Sequence, residues 1–175
     1  MKAMMLLVEP MIPALRRYAR SLLKDTTAAD DLVQDTLERT ITRWHQRDPE
    51  GNARTWVFTI LHNLAINRLR QITRRGRPVD IDDMDESLAS QPPMQEERLL
   101  HADLLKALDR LPDEQRSVLL LISVEDLSYT EAAKVLGVPV GTVMSRLSRG
   151  RERLMRLMEG DAPIATRVPH LRRVK

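Results

Sequence analysis

An all-α fold is predicted for this chain, built as two small helical domains joined by an acidic, mostly irregular linker. Three observations predict it. Apolar residues recur at three- and four-residue spacing through residues 10–75 and again through 96–158. Hydrophobic residues make up 42% of the chain but aromatics only 3%, so Leu, Val, Ile, Met and Ala carry the apolar content, and Leu, Met and Ala favour helix. Between the patterned zones, 76–95 holds three prolines and the cluster Asp80, Asp82, Asp83, Asp85 and Glu86, with no apolar period. A length of 175 residues suits one ordinary domain or two small ones.

The first zone divides into three helices. The first runs from about Met11 to Lys24. The second starts near Thr27, read as its N-cap, with Asp30 three residues on. Its apolar stripe is Ala29, Leu32, Val33, Leu37, Ile41 and Trp44; its other face carries Asp31, Gln34, Asp35 and Glu38. A turn at Asp48-Pro49-Glu50-Gly51 leads to a third helix from about Asn52 to Arg74. At 100° per residue, its Phe58, Leu61, Ala65, Leu69 and Ile72 make a core stripe. Nearly opposite lie Trp56, Ile60, Asn63, Asn67, Arg70 and Arg74. A solvated face has no reason to carry Trp56, and a buried one would not carry two Asn and two Arg without partners.

The second zone opens with a helix over about Glu96–Arg110, stopped by Pro112, and another from Asp113 to about Val124 with Val118, Leu119, Leu121 and Ile122 as its apolar body. Ser128-Tyr129-Thr130-Glu131 is a capping box, in which hydroxyl and carboxylate each satisfy a free backbone donor. A short helix follows to Leu136, Gly137 suits a left-handed C-cap, Val138-Pro139 turns, and a last helix covers about Val140–Met158. Ala133 is small where two helices must cross closely. The arrangement is that of a DNA-binding helix-turn-helix. The last helix sorts into faces: Val143, Leu147, Gly150, Leu154 and Leu157 inward, and Thr142, Ser145, Arg146, Arg149, Arg153 and Arg156 about a quarter-turn away. Arg pairs bidentately with guanine or contacts phosphate, and Ser and Thr contact either.

Composition excludes several classes. With no cysteine there is no disulfide scaffold, thiolate zinc site or cysteine nucleophile, and the four histidines show no metal-ligand spacing. The longest apolar runs, Ala3–Val8 and Val118–Ile122, fall far short of the ~20 residues that span a bilayer, and the start lacks a signal-peptide pattern. A cytoplasmic chain without membrane insertion is expected. A net charge of +3 and a pI near 9.6 favour an anionic partner only mildly. The tail, 159–175, ends in Arg172, Arg173 and Lys175 and is expected to be poorly ordered, either as a plain end or as an extra DNA contact.

Both zones resemble one family. Ala29-Asp30-Asp31-Leu32-Val33-Gln34-Asp35-Thr36, Arg54-Thr55-Trp56-Val57-Phe58-Thr59-Ile60 and Asn63-Leu64-Ala65-Ile66-Asn67-Arg68-Leu69-Arg70 are similar to region 2 of the extracytoplasmic-function (ECF) sigma factors of the sigma-70 superfamily. Leu111-Pro112-Asp113-Glu114-Gln115-Arg116, Leu127-Ser128-Tyr129-Thr130-Glu131-Ala132-Ala133 and Val140-Gly141-Thr142-Val143-Met144-Ser145-Arg146-Leu147 are similar to region 4. The joint match, in order and with the expected linker, is what makes the resemblance specific. It implies a bacterial promoter-specificity subunit with a three-helix region 2 over 1–75, the linker 76–95, a four-helix region 4 over 96–158, and the tail. The linker would thread toward the active-site and RNA-exit channels, as a nucleic-acid mimic or as a spacer.

Carried over residue by residue, the resemblance implies that Asp31, Gln34, Asp35 and Glu38 face the β′ clamp helices of core RNA polymerase. Asn63 would line a pocket for a flipped −10 base, with Asn67, Arg68, Arg70 and Arg74 on backbone, and Trp56 as either an anchor for the specificity loop or a stacking wall. Region 4 would bind the −35 element through Thr142, Met144, Ser145, Arg146, Arg149 and Arg153, and would bind the β-flap tip. Two positions depart from the family pattern. The loop Gln46–Glu50 has no aromatic, and Met144 stands where Arg is common, offering an apolar contact to a thymine methyl instead. The implied partners are core polymerase, promoter DNA and an anti-sigma factor. No cofactor, metal, small-molecule substrate or catalysis is expected. Two other classes compete. A stand-alone dimeric regulator would need a dimerisation helix, and none is evident. A nuclease would need acidic or His ligands beside the basic face, but the acidic cluster falls in the linker.

Overall fold

A computed structural model of the chain describes residues 2–75 and 95–159. Among the described residues there are eight α-helices and no strand: α1 (Lys2–Val8), α2 (Ile12–Leu23), α3 (Thr26–Arg43), α4 (Ala53–Arg75), α5 (Gln95–Asp109), α6 (Asp113–Leu119), α7 (Tyr129–Leu136) and α8 (Val140–Met158). The acidic linker and the basic tail read from the sequence lie outside the described residues, save that Gln95 already belongs to α5 and Glu159 caps α8.

Most sequence-read elements keep their bounds, with two corrections. Helix α3 is not capped by Thr27. Its N-cap is Asp25, whose carboxylate accepts from the Ala28 amide at 2.8 Å, because α2 ends one step earlier on Lys24 in a left-handed conformation (φ 55°). Helix α1 was not anticipated. Its run is too short for periodicity to speak, yet Met4 and Val8 are buried while Met5, Leu6 and Leu7 remain exposed. The turn after α3 closes with the Gly51 amide on the Asp48 carbonyl, and a 3-10 turn over Trp44–Gln46 precedes it.

Helices α2, α3 and α4 pack around Leu15, Tyr18, Leu22, Leu32, Phe58 and Leu61, all at most 1% exposed. Tyr18 meets Phe58 edge-on at 5.7 Å. Helices α5 to α8 pack around Val118, Leu121, Val135, Val143 and Leu147. Gly150 lets α8 approach α6: a Cβ there would meet Leu119 at 3.1 Å. The two halves also pack on each other, α4 against α7 and α2 against α6, so the buried side chains form one continuous cluster.

Buried charge stitches the second half. The Arg116 guanidinium, 2% exposed, donates to the carbonyls of Leu108, Asp109 and Leu111 and reaches Asp113 at 3.3 Å. It thereby satisfies the carbonyls that the end of α5 leaves open. Burial pushes its pKa down, and Asp113 works against that.

Candidate nucleic-acid interface

The helix-turn-helix folds as its residues dictate. The Ser128 hydroxyl accepts from the Glu131 amide at 3.2 Å while the Glu131 carboxylate accepts from the Ser128 amide at 2.9 Å, closing the capping box. The Ser128 amide holds the Glu131 carboxyl below its usual range, with Thr55 and Asn52 adding to the effect against a modest burial cost. Gly137 ends α7 at φ 64°, and its neighbour's amide reaches back to Ala133. Proline at the N-cap then restarts the chain as α8.

On α8 the apolar face is buried at Val143, Leu147 and Gly150 and half-buried at Leu154 and Leu157. Met144, Ser145, Arg149 and Arg153 are exposed beside it, and Thr142 is half-buried. Four of the six −35 candidates thus present to solvent on one long helix. Arg146 is different. It is drawn to Glu114 of α6 at 3.2 Å, with its side chain 24% exposed. Its guanidinium is thus oriented by a carboxylate of another helix, which the sequence did not disclose.

Helix α4 carries the second basic face. Phe58, Leu61 and Ala65 are fully buried, whereas Asn63, Asn67, Arg70 and Arg74 are exposed, as the two stripes required. Arg68 does not join them. It donates to the Ala28 carbonyl at 2.6 Å and pairs with Asp35 at 3.2 Å, tying α4 to α3. One −10 candidate and one polymerase-facing candidate are thus partners of each other. The remaining polymerase-facing candidates, Asp31, Gln34 and Glu38, are exposed on α3, Gln34 donating to Glu38 at 3.2 Å.

Trp56 packs inside the first half and also borders a cleft. It is half-buried and meets Trp44 edge-on at 6.0 Å, while Arg47 covers Trp44 at 4.8 Å. These residues anchor the loop 47–52. The same Trp56 lines a cleft of about 350 Å³ with Arg47, Asn52 and Thr55, roofed by Glu131 and Lys134 of α7. Asn52 and Thr55 both donate to Glu131, so the cleft is bridged across the two halves.

Several residues at the seam between halves carried no functional role in the sequence reading, His62 among them as a surface or packing residue rather than a ligand. Glu125 is buried and takes Arg17 through two hydrogen bonds of 2.9 Å and Arg54 at 3.1 Å. Lys24 donates to the Asp109 carbonyl; partial burial and the Arg116 charge lower its pKa. His62, on the α4 face turned to α2, sits 3.0 Å from the Tyr18 hydroxyl through Nδ1. Burial, with the nearby Arg146 charge, pushes the imidazole down to about 4, so it stays neutral. Burial likewise raises the Tyr18 phenol. No spacing signal marks such residues, because their partners lie far away in sequence.

Among the described residues no cluster of three or more His, Cys, Asp or Glu could hold a metal ion, and no helix is long and apolar enough to cross a membrane. The family model for the sigma2 domain of PhyR matches residues 8–62, and that for sigma-70 region 4 matches 101–154. The ECF RNA polymerase sigma factor EcfG of Rhodopseudomonas palustris is 37% identical over 150 residues, covering 86% of this chain and 82% of that protein. Among solved structures, the sigma factor RpoE of Bartonella quintana, in complex with the anti-sigma factor NepR, superposes with a TM-score of 0.76 at 32% identity, covering 88% of this chain and 95% of that one. CnrH, in complex with the cytosolic domain of CnrY, gives 0.67 at 29% identity over 92% and 90%.

Proposed function

The chain belongs to the extracytoplasmic-function sigma factors of RNA polymerase and acts in transcription initiation, and on that premise we propose how its surfaces divide the work. Helix α3 presents Asp31, Gln34 and Glu38 to the β′ clamp helices of core polymerase, with Asp35 held beside them by Arg68. Helix α4 presents Asn63 and Asn67 to −10 bases, a side-chain amide being able to donate and accept toward one base edge. Arg70 and Arg74 contact the backbone there, Trp56 walls the pocket, and Arg68 sets the angle between α3 and α4. Helix α8 reads the −35 element through Arg149, Arg153, Ser145, Thr142 and Met144, with Arg146 aimed by Glu114, while the same half docks on the β flap. We place the first functional unit over 1–75 and the second over 96–158, as the patterned zones divide.

One observation carries this reading. Two helices in different halves each bury an apolar stripe and expose an amide- or guanidinium-bearing one: Asn63, Asn67, Arg70 and Arg74 on α4; Ser145, Arg149 and Arg153 on α8. Two separated basic faces suit a bipartite DNA element. The protein works by binding, in the cytoplasm with the nucleoid. An anti-sigma factor is its inhibitory partner, as NepR and CnrY accompany the similar RpoE and CnrH in their crystals or complexes.

The test is co-migration of the purified chain with bacterial core polymerase on a sizing column, followed by run-off transcription. The expected result is a stable holoenzyme and discrete promoter-dependent transcripts. Absence of a complex with competent core enzyme would overturn the assignment of α3. A complex that initiates no better than core alone would overturn those of α4 and α8.

A further inference from the structure

Two hydrogen-bond donors at the start of α4 converge on one point in the cleft beside Trp56. The Asn52 Nδ2 and the Thr55 hydroxyl both donate to a single oxygen, Oε1 of Glu131, at 2.5 and 3.3 Å. Their aim is set by the residues around them. The Asn52 Oδ1 accepts from the amides of Arg54 and Thr55 at 2.9 and 3.3 Å, capping α4, so the amide's oxygen is committed and its NH2 faces the cleft. Thr55 is only 6% exposed. A helical threonine can bond back to the carbonyl four residues earlier, and Thr59 does so, on Thr55, at 2.8 Å. For Thr55 that carbonyl belongs to Gly51, and Arg47 takes it at 2.8 Å. The Thr55 hydroxyl is turned to the cleft instead, with Glu131 its one partner among the described residues.

Such a point calls for an acceptor with two lone pairs on one atom. A carboxylate or carbonyl oxygen has two, whereas a ring nitrogen has one. The Glu131 oxygen therefore stands in for the carbonyl of a ligand. Beside it the Trp56 ring offers a wall for an unstacked base, and at about 350 Å³ the cleft has the size of a small-ligand site. Cytosine, guanine and thymine carry a carbonyl, but adenine has only ring nitrogens as acceptors. We infer that Asn52 and Thr55 are specificity-determining residues, which take an unstacked carbonyl-bearing base of the −10 strand and reject adenine. Asn63 reads a different base, because it lies eight residues beyond Thr55, about 12 Å along α4 at ~1.5 Å per residue. Arg47 is a positioning residue, leaving the Thr55 hydroxyl free by holding the Gly51 carbonyl. The inference rests on the placement of α4 at the −10 element proposed above.

The test uses holoenzyme on promoter DNA whose −10 segment is already unpaired, so that base capture is read apart from melting. Each base is placed in turn at each −10 position of the non-template strand. One position is expected at which adenine binds at least about tenfold more weakly than the best carbonyl base, the scale of a paired contact to one base. Asn52→Asp keeps the cap and turns the donor into an acceptor, while Thr55→Val removes the hydroxyl alone. Each is expected to bring the ratio at that position close to one, with preferences elsewhere in the element and core-polymerase affinity unchanged. Loss of the contacts to Glu131 by itself would shift every sequence alike and leave the ratio intact. No position that disfavours adenine, an unchanged ratio in both variants, or an equal fall at every position would each overturn the inference and leave the proposed function standing. So would loss of helical circular dichroism in both variants, which would make the pair a folding device. An unsubstituted chain that forms no initiating holoenzyme would overturn the proposed function itself, and this inference with it.

Discussion

Arg149 and Arg116 illustrate how differently one residue type is used along this chain. Arg149 stands exposed on α8, and in the function proposed above its value is to DNA. Arg149→Ala is expected to weaken −35 binding by holoenzyme by about 1–3 kcal/mol, the range of a good bidentate base contact, while core-polymerase affinity stays unchanged. A gel shift at fixed salt checks it. Arg116 is buried, and its value is to the fold. Removing it orphans the carbonyl of Leu111 and takes one of two donors from those of Leu108 and Asp109. Arg116→Met is expected to cost about 2–4 kcal/mol in urea unfolding, because each buried acceptor left unpaired carries a desolvation penalty. Both are Arg in a helical, Arg-rich sequence, and only burial tells them apart.

At the scale of the element, boundaries follow local chemistry. The Ser128–Glu131 box, the Gly137 cap and the span Val140–Met158 were legible in the sequence because capping is decided within four residues. Ser128→Ala is expected to cost about 1 kcal/mol and lower the melting temperature by a few degrees, read by circular dichroism. The start of α3 was misread for a related reason. Thr27 and Asp25 are both acceptable caps, and the choice fell to Asp25 once Lys24 had reversed the chain. Helix α1 escaped notice because seven residues carry too little periodicity. The stripes of α4 were read correctly, yet Arg68, between them, was assigned to DNA backbone. Its actual partners, Ala28 and Asp35, lie on another helix.

At the scale of the whole molecule, the seam between halves holds a buried titratable group. His62 lies there beside Tyr18, and its folded-state pKa of about 4 sits below the ordinary 6.5. The unfolded chain therefore takes up the proton first as pH falls. Stability from this group is fully present above about 6.5 and is lost progressively toward 4. Between pH 7 and 5 the expected loss is about 2 kcal/mol, seen as a fall in the urea midpoint. His62→Gln is expected to flatten that fall. A midpoint that drops equally in the variant would place the titration elsewhere.

The all-α class, the two patterned zones, the helix-turn-helix and the outward faces of α4 and α8 were all readable without coordinates. Each depends on spacing along one helix or on a cap within one turn. What the tertiary structure alone decided is which polar groups face one another across the fold: Arg68 with Asp35, Arg146 with Glu114, Arg17 and Arg54 with Glu125. Such pairs join residues that are 32 to 108 positions apart, and a linear pattern holds no signal of them. Periodicity says which side of a helix is wet, whereas only packing says which neighbour waits there.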